Sequence, residues 1–228
     1  MTENKTANRV IIYLVGLVIL AFGLVMNTKS GLGVSPILSM AYAVSEIYEI
    51  NFANVTLGLY LIFVVIEVVL HLATHRGKKQ ILSDILQIAV SIVFTRFMNV
   101  FATLIPELDF TGRGKGFEYT IRLLVLIVGL VCTGIGAAAS LNMRIVPNPG
   151  DGIVQAVADC VGKSVGFTKN CIDVCSVAFT IILSLVLRGR LYGVGAGTIL
   201  AVILVGRTIA VFNFFTRRRL LEAAGLSF

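Results

Sequence analysis

The sequence predicts an all-α polytopic membrane protein with about six transmembrane helices and two short re-entrant or broken helices, built as two internal repeats. Hydrophobic residues make up 57% of the 228 residues and charged residues only 14%, with a mean hydropathy of +0.94. A soluble domain of this size needs more charge to cover its surface. The apolar residues also form long runs, and the two halves of the chain resemble each other. These observations exclude an ordinary soluble fold.

Six apolar runs are long enough to span a bilayer, which takes ~20 residues of helix. They cover residues 10–27, 52–73, 80–105, 119–141, 167–187 and 192–214. The net charge of +7 gathers beside such runs, at 76–79 and 217–219. Cytoplasmic flanks and anionic lipid head groups explain this placement, so the charge does not indicate nucleic-acid binding.

Two further segments, 33–47 and 150–161, are too short or too polar to be ordinary spans. The second carries Asp151, Gln155 and Asp159, which lipid would not tolerate. Irregular backbone at membrane depth occurs only where protein buries it or where it lines water. We therefore predict that both segments are re-entrant or broken helices.

The duplication follows a constant shift of 113 residues through most of each half and 111 near its end. Matching residues include Arg9 with Arg122, Gly16 with Gly129, Gly23 with Gly136, Pro36 with Pro149, and Arg96 with Arg207. If the short segments re-enter, each half has three spans and the repeats are inverted; if they cross, each half has four and the repeats are parallel. Re-entry places both basic clusters in the cytoplasm, which favours inversion.

The predicted organisation has five parts in chain order. An N-terminal cytoplasmic tail (1–9) precedes repeat 1 (10–105), which contains the short segment 33–47. A connecting loop (106–118) leads to repeat 2 (119–214) with the short segment 150–161. A basic C-terminal tail (215–228) ends the chain.

Several motifs resemble the YczE/YyaS/YitT group of bacterial integral membrane proteins, most closely its YczE branch. They are Ser30-Gly31-Leu32-Gly33-Val34-Ser35-Pro36, Pro149-Gly150-Asp151, and Gly193-Val194-Gly195-Ala196-Gly197-Thr198-Ile199 running to Gly206. The resemblance extends from about residue 10 to residue 214. It implies a multi-pass protein of a bacterial plasma membrane and little about chemistry.

Two arginines at matching positions of the repeats are candidate substrate-binding residues. Arg96 and Arg207 lie inside apolar runs, where an unpaired charge costs ~2.5 kcal/mol or more. A planar guanidinium suits a carboxylate or phosphate of a substrate. Alternatively, each arginine pairs with a carboxylate to hold helices together, or reaches the membrane interface.

The span that contains Arg96 also carries a polar stripe. Asp84, Gln87, Ser91, Thr95 and Asn99 recur at steps of three and four residues. Such a stripe lines water, or it forms hydrogen bonds to another helix without a role in transport. Gln87 and Asn99 are therefore candidate substrate ligands.

The short segments supply the remaining candidate substrate residues, Gly33, Pro36, Pro149 and Gly150. Proline suits a first helical turn, and glycine lets the backbone approach a ligand. Helix N-termini that point into the membrane favour an anion. Asp151 caps its helix, binds a cation or takes a proton, whereas Asp173 carries a proton, pairs with an arginine or lies at the interface. Both are candidates for proton or ion coupling.

Glu67, His71 and His75 share a helix face at four-residue spacing. That spacing can hold a metal, but a charged helix end with Glu67 paired to His71 explains it better. We therefore expect no metal site and no cofactor. Nothing in the sequence resembles a nucleophile with its base, so we expect no enzymatic activity.

The sequence favours a small secondary transporter or flippase-like carrier of an anionic solute or lipid-linked anion, working by alternating access. The alternative is a membrane accessory or regulatory scaffold without transport activity. The expected partners are the lipid bilayer, a small anionic solute or lipid, and a second copy in a homodimer, with no nucleic acid. Both termini are expected in the cytoplasm.

Overall fold

A computed structural model describes residues 2–110 and 114–226, and its regular structure is entirely helical. The eight helices are α1 Thr2–Ser30, α2 Pro36–Tyr48, α3 Phe52–Ala73, α4 Lys78–Leu104, α5 Lys115–Asn142, α6 Pro149–Val161, α7 Val165–Arg188 and α8 Ala196–Ala224. Part of the predicted connecting loop, 111–113, lies outside the described residues, as do the two extreme ends of the predicted tails.

Six helices (α1, α3, α4, α5, α7 and α8) are long and apolar enough to cross a membrane. The other two, α2 and α6, have 13 residues each, about 20 Å at 1.5 Å per residue, less than the apolar thickness of a bilayer. The predicted fold class is confirmed. The outer helices are longer than expected, since α1 begins at Thr2 and α8 continues to Ala224.

The duplication is visible in the helix starts. Helices α5, α6 and α7 each begin 113 residues after α1, α2 and α3, respectively. The two short helices match at both ends, because each begins at a proline and spans 13 residues. The sequence shift therefore corresponds to equivalent helices of the two halves.

The chain forms two compact units, and each takes helices from both halves. Unit 1 comprises Met1–Ser35, Phe97–Ile145 and Gly195–Phe228, and so contains α1, α5, α8 and the end of α4. Unit 2 comprises Pro36–Arg96 and Val146–Val194, and so contains α2, α3, most of α4, α6 and α7.

Unit 1 is built on the close packing of α1 against α5. A Cβ added at Gly16 would lie 3.1 Å from the carbonyl oxygen of Gly136, and one added at Gly23 would lie 2.7 Å from that of Gly129. Residues early in α1 therefore meet residues late in α5, so the helices run antiparallel. Small residues permit such backbone contact between membrane helices. Because α1 and α5 are equivalent helices of the two halves, this direction agrees with inverted repeats.

Two equivalent arginines form reciprocal contacts at the ends of α1 and α5. Arg9 donates from Nε to the carbonyl oxygen of Met143 at 2.7 Å and from Nη2 to that of Arg144 at 2.6 Å. Arg122 donates from Nη1 to the carbonyl oxygen of Ser30 at 3.0 Å. Each arginine supplies a donor to the C-terminal carbonyls of the other helix, where cations are favourable.

Helix α8 packs against α5 through an apolar cluster in unit 1. Leu126, Leu130 and Ala201 are buried there. The segment before α2 reaches the start of α8, because the backbone N–H of Gly197 donates to the carbonyl oxygen of Leu32 at 2.8 Å. Gly33 has a φ of +118°, a conformation that favours glycine.

In unit 2, each short helix runs parallel to a long helix of the other half. On α2, Ser39 Oγ lies 2.8 Å from Thr180 Oγ1, and the carbonyl oxygen of Ile47 accepts from Arg188 at 2.8 Å. Helix α2 therefore begins beside the middle of α7 and ends at its last residue.

Helix α6 has the equivalent relation to α3. Near its start, Asp151 interacts electrostatically with Tyr60 in the middle of α3. Near its end, Asp159 Oδ2 lies 3.0 Å from Arg76 Nη2, just beyond α3. Both short helices therefore cover about half the length of a span, with the N-terminus at the inner end.

The two inner ends meet inside unit 2. A Cβ added at Gly150, the second residue of α6, would lie 3.7 Å from Ile37 Cδ1, on the second residue of α2. Gly150 and Ile37 are equivalent under the shift of 113. The N-termini of two equivalent helices thus converge about a local pseudo-twofold axis.

The α1–α5 contact predicts opposite effects for two glycine substitutions. Gly23→Ala forces a Cβ into the backbone of α5 and should cost about 1–3 kcal/mol, the usual cost of overpacking. Gly58→Ala is the matched control, because no atom lies within 4 Å of a Cβ at this exposed position on α3. The control should keep or slightly raise the thermal unfolding midpoint of the detergent-purified protein. Equal midpoints for the two variants would contradict the contact.

Candidate functional site

The buried polar side chains of unit 2 lie mainly where α3 and α4 face each other and on α7. Those of α3 and α4 are Thr56, Glu67, His71, Asp84, Gln87, Ser91 and Thr95, and those of α7 are Thr168, Asp173, Ser176, Thr180 and Ser184. Burying polar groups in an apolar span is costly, so such concentration indicates function or specific helix pairing.

The polar stripe of α4 faces α3. Gln87 donates from Nε2 to Glu67 Oε2 at 2.6 Å, and one turn away His71 Nδ1 lies 2.7 Å from Asp84 Oδ2. The interpretation that Glu67 pairs with His71 along α3 is therefore wrong, since each bonds across to α4. His75 is exposed at the end of α3, and the described chain contains no group of three His, Cys, Asp or Glu side chains placed to hold a metal ion.

Gly152 of α6 lies directly against the Glu67–Gln87 pair. A Cβ added there would lie 2.6 Å from Glu67 Oε2 and 2.8 Å from both Glu67 Oε1 and Gln87 Oε1. The Glu67 side chain is 1% exposed and Gln87 is fully buried. Within the part of the chain that the structure describes, neither Oε1 atom has a hydrogen-bond partner. Three oxygens thus converge on a glycine, and two of them lack a donor.

The same interface in the other half has neutral chemistry. Under the shift of 113, Gly152 corresponds to Ser39 and Glu67 to Thr180, and these two hydroxyls form a hydrogen bond at 2.8 Å. The pseudo-symmetric packing is therefore preserved while its chemistry differs. The carboxyl group is present on one side only.

The N-terminus of α6 is capped by Asn148, not by Asp151. Asn148 Oδ1 accepts from the backbone N–H of Gly150 at 3.0 Å, and Pro149 occupies the first helical position. Asn148 is 6% exposed. Its side chain interacts with the hydroxyl of Tyr60 on α3, but its Nδ2 forms no hydrogen bond of ordinary length among the described residues. The capping alternative for Asp151 is therefore wrong.

The two predicted coupling carboxylates lie close to each other. Asp151, half-buried on α6, interacts electrostatically with Asp173 and Lys169 of α7. Lys169 Nζ lies 3.5 Å from Asp173 Oδ2, whereas the buried Asp173 Oδ1 has no partner among the described residues. Lys169 thus faces two carboxyl groups, those of Asp151 and Asp173.

The structure places neither candidate arginine beside a carboxylate. Arg96 donates from Nη2 to Asn54 Oδ1 at 2.8 Å, and its guanidinium is otherwise exposed. Asn54 is in the first turn of α3, so this contact lies near an end of that span, not at its middle. Arg207 is exposed on α8 and forms no hydrogen bond or ion pair within the described residues. The carboxylate-paired alternative therefore does not hold for either.

Gly33 and Asn99 are located in unit 1. A Cβ added at Gly33 would lie 2.7 Å from Thr198 Oγ1 and 2.9 Å from the backbone nitrogen of Gly195, so Gly33 packs against the start of α8. Asn99 is half-buried near the end of α4, and its Oδ1 has no partner in the described part of the chain. Pro36, Gln87, Pro149 and Gly150 belong to unit 2.

An apolar groove of about 620 Å³ runs along the surface of unit 2 between α2, α6 and α7. Its walls include Met40, Val157, Ile172 and Phe179, with Lys163 at one edge. It presents hydrocarbon and few polar groups, which suits a lipid chain better than a polar solute.

Comparison with known proteins finds a relative along nearly the whole chain. The chain is 23% identical to the uncharacterized protein YyaS of Bacillus subtilis (strain 168) over 222 residues, which cover 92% of this chain and 94% of that protein. No solved structure matches. The predicted resemblance to the YczE/YyaS/YitT group is confirmed at the level of the YyaS relative.

A family model matches residues 7–214, from the second turn of α1 to the last third of α8. The match covers both halves and both short helices, so the duplicated architecture is a property of the whole matched region. The chain therefore belongs to the family of unknown function DUF6198.

Proposed function

We propose that this multi-pass membrane protein is a secondary carrier of an anionic solute or lipid-linked anion that works by alternating access. One observation carries the proposal: two equivalent half-crossing helices meet N-terminus to N-terminus inside unit 2, beside the buried Asn148 amide, whose Nδ2 forms no hydrogen bond of ordinary length in the described residues. Half-helices of this kind form substrate sites in many transporters built from inverted repeats.

The chemistry of the inner ends favours an anion. The first N–H groups of α6 are already bonded to Asn148, since Gly150 donates to its Oδ1 and Asp151 and Gly152 donate to its carbonyl oxygen. The dipole of the helix still adds positive potential at this end. Asn148 Nδ2 is a donor at this point, and both the atom and its residue are buried. An oxyanion would accept from Nδ2 and would be favoured by the helix dipole, whereas a cation would gain neither interaction.

The arginines supply additional positive potential. Arg96 faces only a neutral amide, so its charge is not neutralised by its hydrogen-bond partner. Its position beside the first turn of α3 places it next to another helix N-terminus. We propose that Arg96 attracts the anion at one end of the span, and that Arg207 does so on α8.

Asp151 and Asp173 are the proposed coupling groups behind the anion site. They share Lys169, and Asp173 Oδ1 lacks a donor. Proton uptake by this pair would offset the negative charge that an anion brings into unit 2. The carrier is proposed to reside in a bacterial plasma membrane with both termini in the cytoplasm, because that orientation keeps residues 76–79 and 217–219 on the cytoplasmic side.

Asn148→Asp tests the anion site without removing the helix cap, because aspartate also accepts from the N–H of Gly150. The variant replaces the Nδ2 donor with a negative charge, so uptake of pooled anionic metabolites into proteoliposomes should fall at least about tenfold, equivalent to 1.4 kcal/mol. Ser164→Asp, which adds the same charge at the exposed N-cap of α7, is the control and should transport normally.

Either of two results would contradict this placement. Full uptake by the Asn148→Asp variant would show that the anion does not bind at the N-terminus of α6. Absence of flux for every pool in the wild-type protein, together with a co-purifying protein partner, would support the accessory scaffold instead.

Arg96→Gln should lower the rate of anion uptake several-fold while the unfolding midpoint stays within about 1 °C, since an exposed charge contributes little to stability. Arg96→Lys should recover part of the rate because the charge is kept. Arg218→Gln, at an exposed arginine that pairs with Glu222 on α8, is the control. Equal rates for the Gln variants at 96 and 218 would exclude Arg96 from the transport path.

A further inference from the structure

The side chains of Glu67 and Gln87 form one hydrogen bond, although a carboxyl group and a carboxamide can form two. Gln87 Nε2 donates to Glu67 Oε2, but Glu67 Oε1 and Gln87 Oε1 are left without donors in the described structure. Both atoms lie 2.8 Å from the position that a Cβ on Gly152 would take, so both face Gly152. Both are acceptors if Glu67 is ionised, and an ionised carboxylate has no proton to donate.

A single proton resolves this arrangement. A carboxylic acid and a carboxamide can form a ring with two hydrogen bonds, in which the amide N–H donates to one acid oxygen and the acid O–H donates to the amide oxygen. An unpaired buried acceptor costs about 1–3 kcal/mol, and a buried unpaired charge costs more. The proton would satisfy both orphan oxygens and remove the charge.

We propose that Glu67 is a proton-binding site of this protein, with the proton held on Oε1 and donated to Gln87 Oε1. Gly152 closes the site from α6, because any larger residue would enter the space of the three oxygens. The proton is exchanged with no other bond made or broken: it leaves as Glu67 ionises, and it returns from water.

The charged groups around Glu67 support this role. On its own helix, His71 lies one turn away and pairs with Asp84 of α4, which faces Glu67 electrostatically. Asp151 is the neighbour of Gly152 on α6. Lys169 is directed to Asp151 and Asp173, and Arg76 to Asp159. None of the basic side chains of these elements forms an ion pair with the Glu67 carboxylate, which leaves a proton to neutralise it.

A metal cation fits the site less well than a proton. The pair offers three oxygens from two side chains, whereas hard cations such as Mg²⁺ take about six oxygen ligands. One amide N–H also points at the carboxylate, and a cation would repel it.

The His71–Asp84 pair lies between Glu67 and Arg76, which is just beyond the end of α3. It supplies polar groups along a route from the proton site to that end of the membrane.

The proposed proton site stands on its own geometry, and its use in coupling, in addition to Asp151 and Asp173, rests on the proposed carrier function. Infrared difference spectroscopy of the full-length protein in lipid nanodiscs, exchanged from H₂O into D₂O, tests the site directly. A protonated carboxyl carbonyl band should be present in the wild type, should shift on exchange, and should disappear in Glu67→Gln. Glu46→Gln, at an exposed carboxylate on α2, should leave it unchanged.

Unfolding midpoints distinguish a protonated Glu67 from a position that needs only a side chain of this size. Glu67→Gln keeps a donor and an acceptor toward Gln87, so its unfolding midpoint should match that of the wild type. Glu67→Ala and Gly152→Ala should both lower the midpoint by several degrees, while Gly166→Ala, with open space around its Cβ, should not. A midpoint of Glu67→Gln as low as that of Glu67→Ala would overturn the acid–amide ring.

Transport then tests coupling. A pH gradient should drive uptake in the wild type and fail to do so in Glu67→Gln, while anion exchange at equal pH persists. If no anion is transported but the infrared band behaves as expected, the carrier proposal fails and the proton site holds. A midpoint raised by NaCl over choline chloride in the wild type but not in Glu67→Gln would overturn the proton in favour of sodium.

Discussion

The N-termini of α2 and α6 are buried inside unit 2, and this constraint shapes what surrounds them. A helix that stops halfway across a bilayer leaves its first N–H groups without water, so protein groups or a ligand must satisfy them. Asn148 does so for three N–H groups of α6, accepting from Gly150 at its Oδ1 and from Asp151 and Gly152 at its carbonyl oxygen. Its own Nδ2 forms no hydrogen bond of ordinary length in the described residues. The long helices α3 and α7 run beside the short ones and enclose these ends. Polar side chains are therefore concentrated in the unit that contains the half-helices.

The duplicated halves produce two copies of each interface, and the copies differ more in some places than in others. The α1–α5 contact remains nearly symmetric: glycines meet at equivalent positions, and Arg9 and Arg122 make equivalent bonds to helix ends. The α2–α7 and α3–α6 contacts keep the same backbone relation, yet one holds a Ser39–Thr180 hydroxyl pair and the other holds Gly152 against a carboxyl group. The packing of α1 against α5 is similar in the two halves. The side chains differ where α2 packs against α7 and α6 packs against α3.

Hydropathy and the repeat predict the helices well because both are local or periodic signals. Spans 52–73 and 80–105 correspond to α3 and α4, and the proline of each short segment is the first residue of its helix. The partners of Glu67 and His71 were not predictable in this way, since four-residue spacing shows only that they share a face. Their bonds to α4 depend on the register between two helices. The shift of 113 does contain a usable signal, because it aligns Glu67 with Thr180 and Gly152 with Ser39. One half therefore has an ionisable side chain and a glycine at the positions where the other half has two hydroxyls. The candidate substrate and coupling residues stay predictions.

Helix α6 joins the two proposed sites. Asn148 at its N-cap faces the anion position, and Gly152, four residues and about 6 Å further along the helix, closes the Glu67–Gln87 pair. A displacement of α6 that opens one site must change the other, because both contacts belong to the same helical turn. If α6 moved so that Gly152 left the Glu67–Gln87 pair, Glu67 would meet water and release its proton. The same movement would carry Asn148 Nδ2 away from α2. Coupling between proton and anion then needs no long path through the protein. In the proposed carrier it would follow from the rigidity of one turn, and the neutral Ser39–Thr180 contact of α2 gives the other half no titrating counterpart.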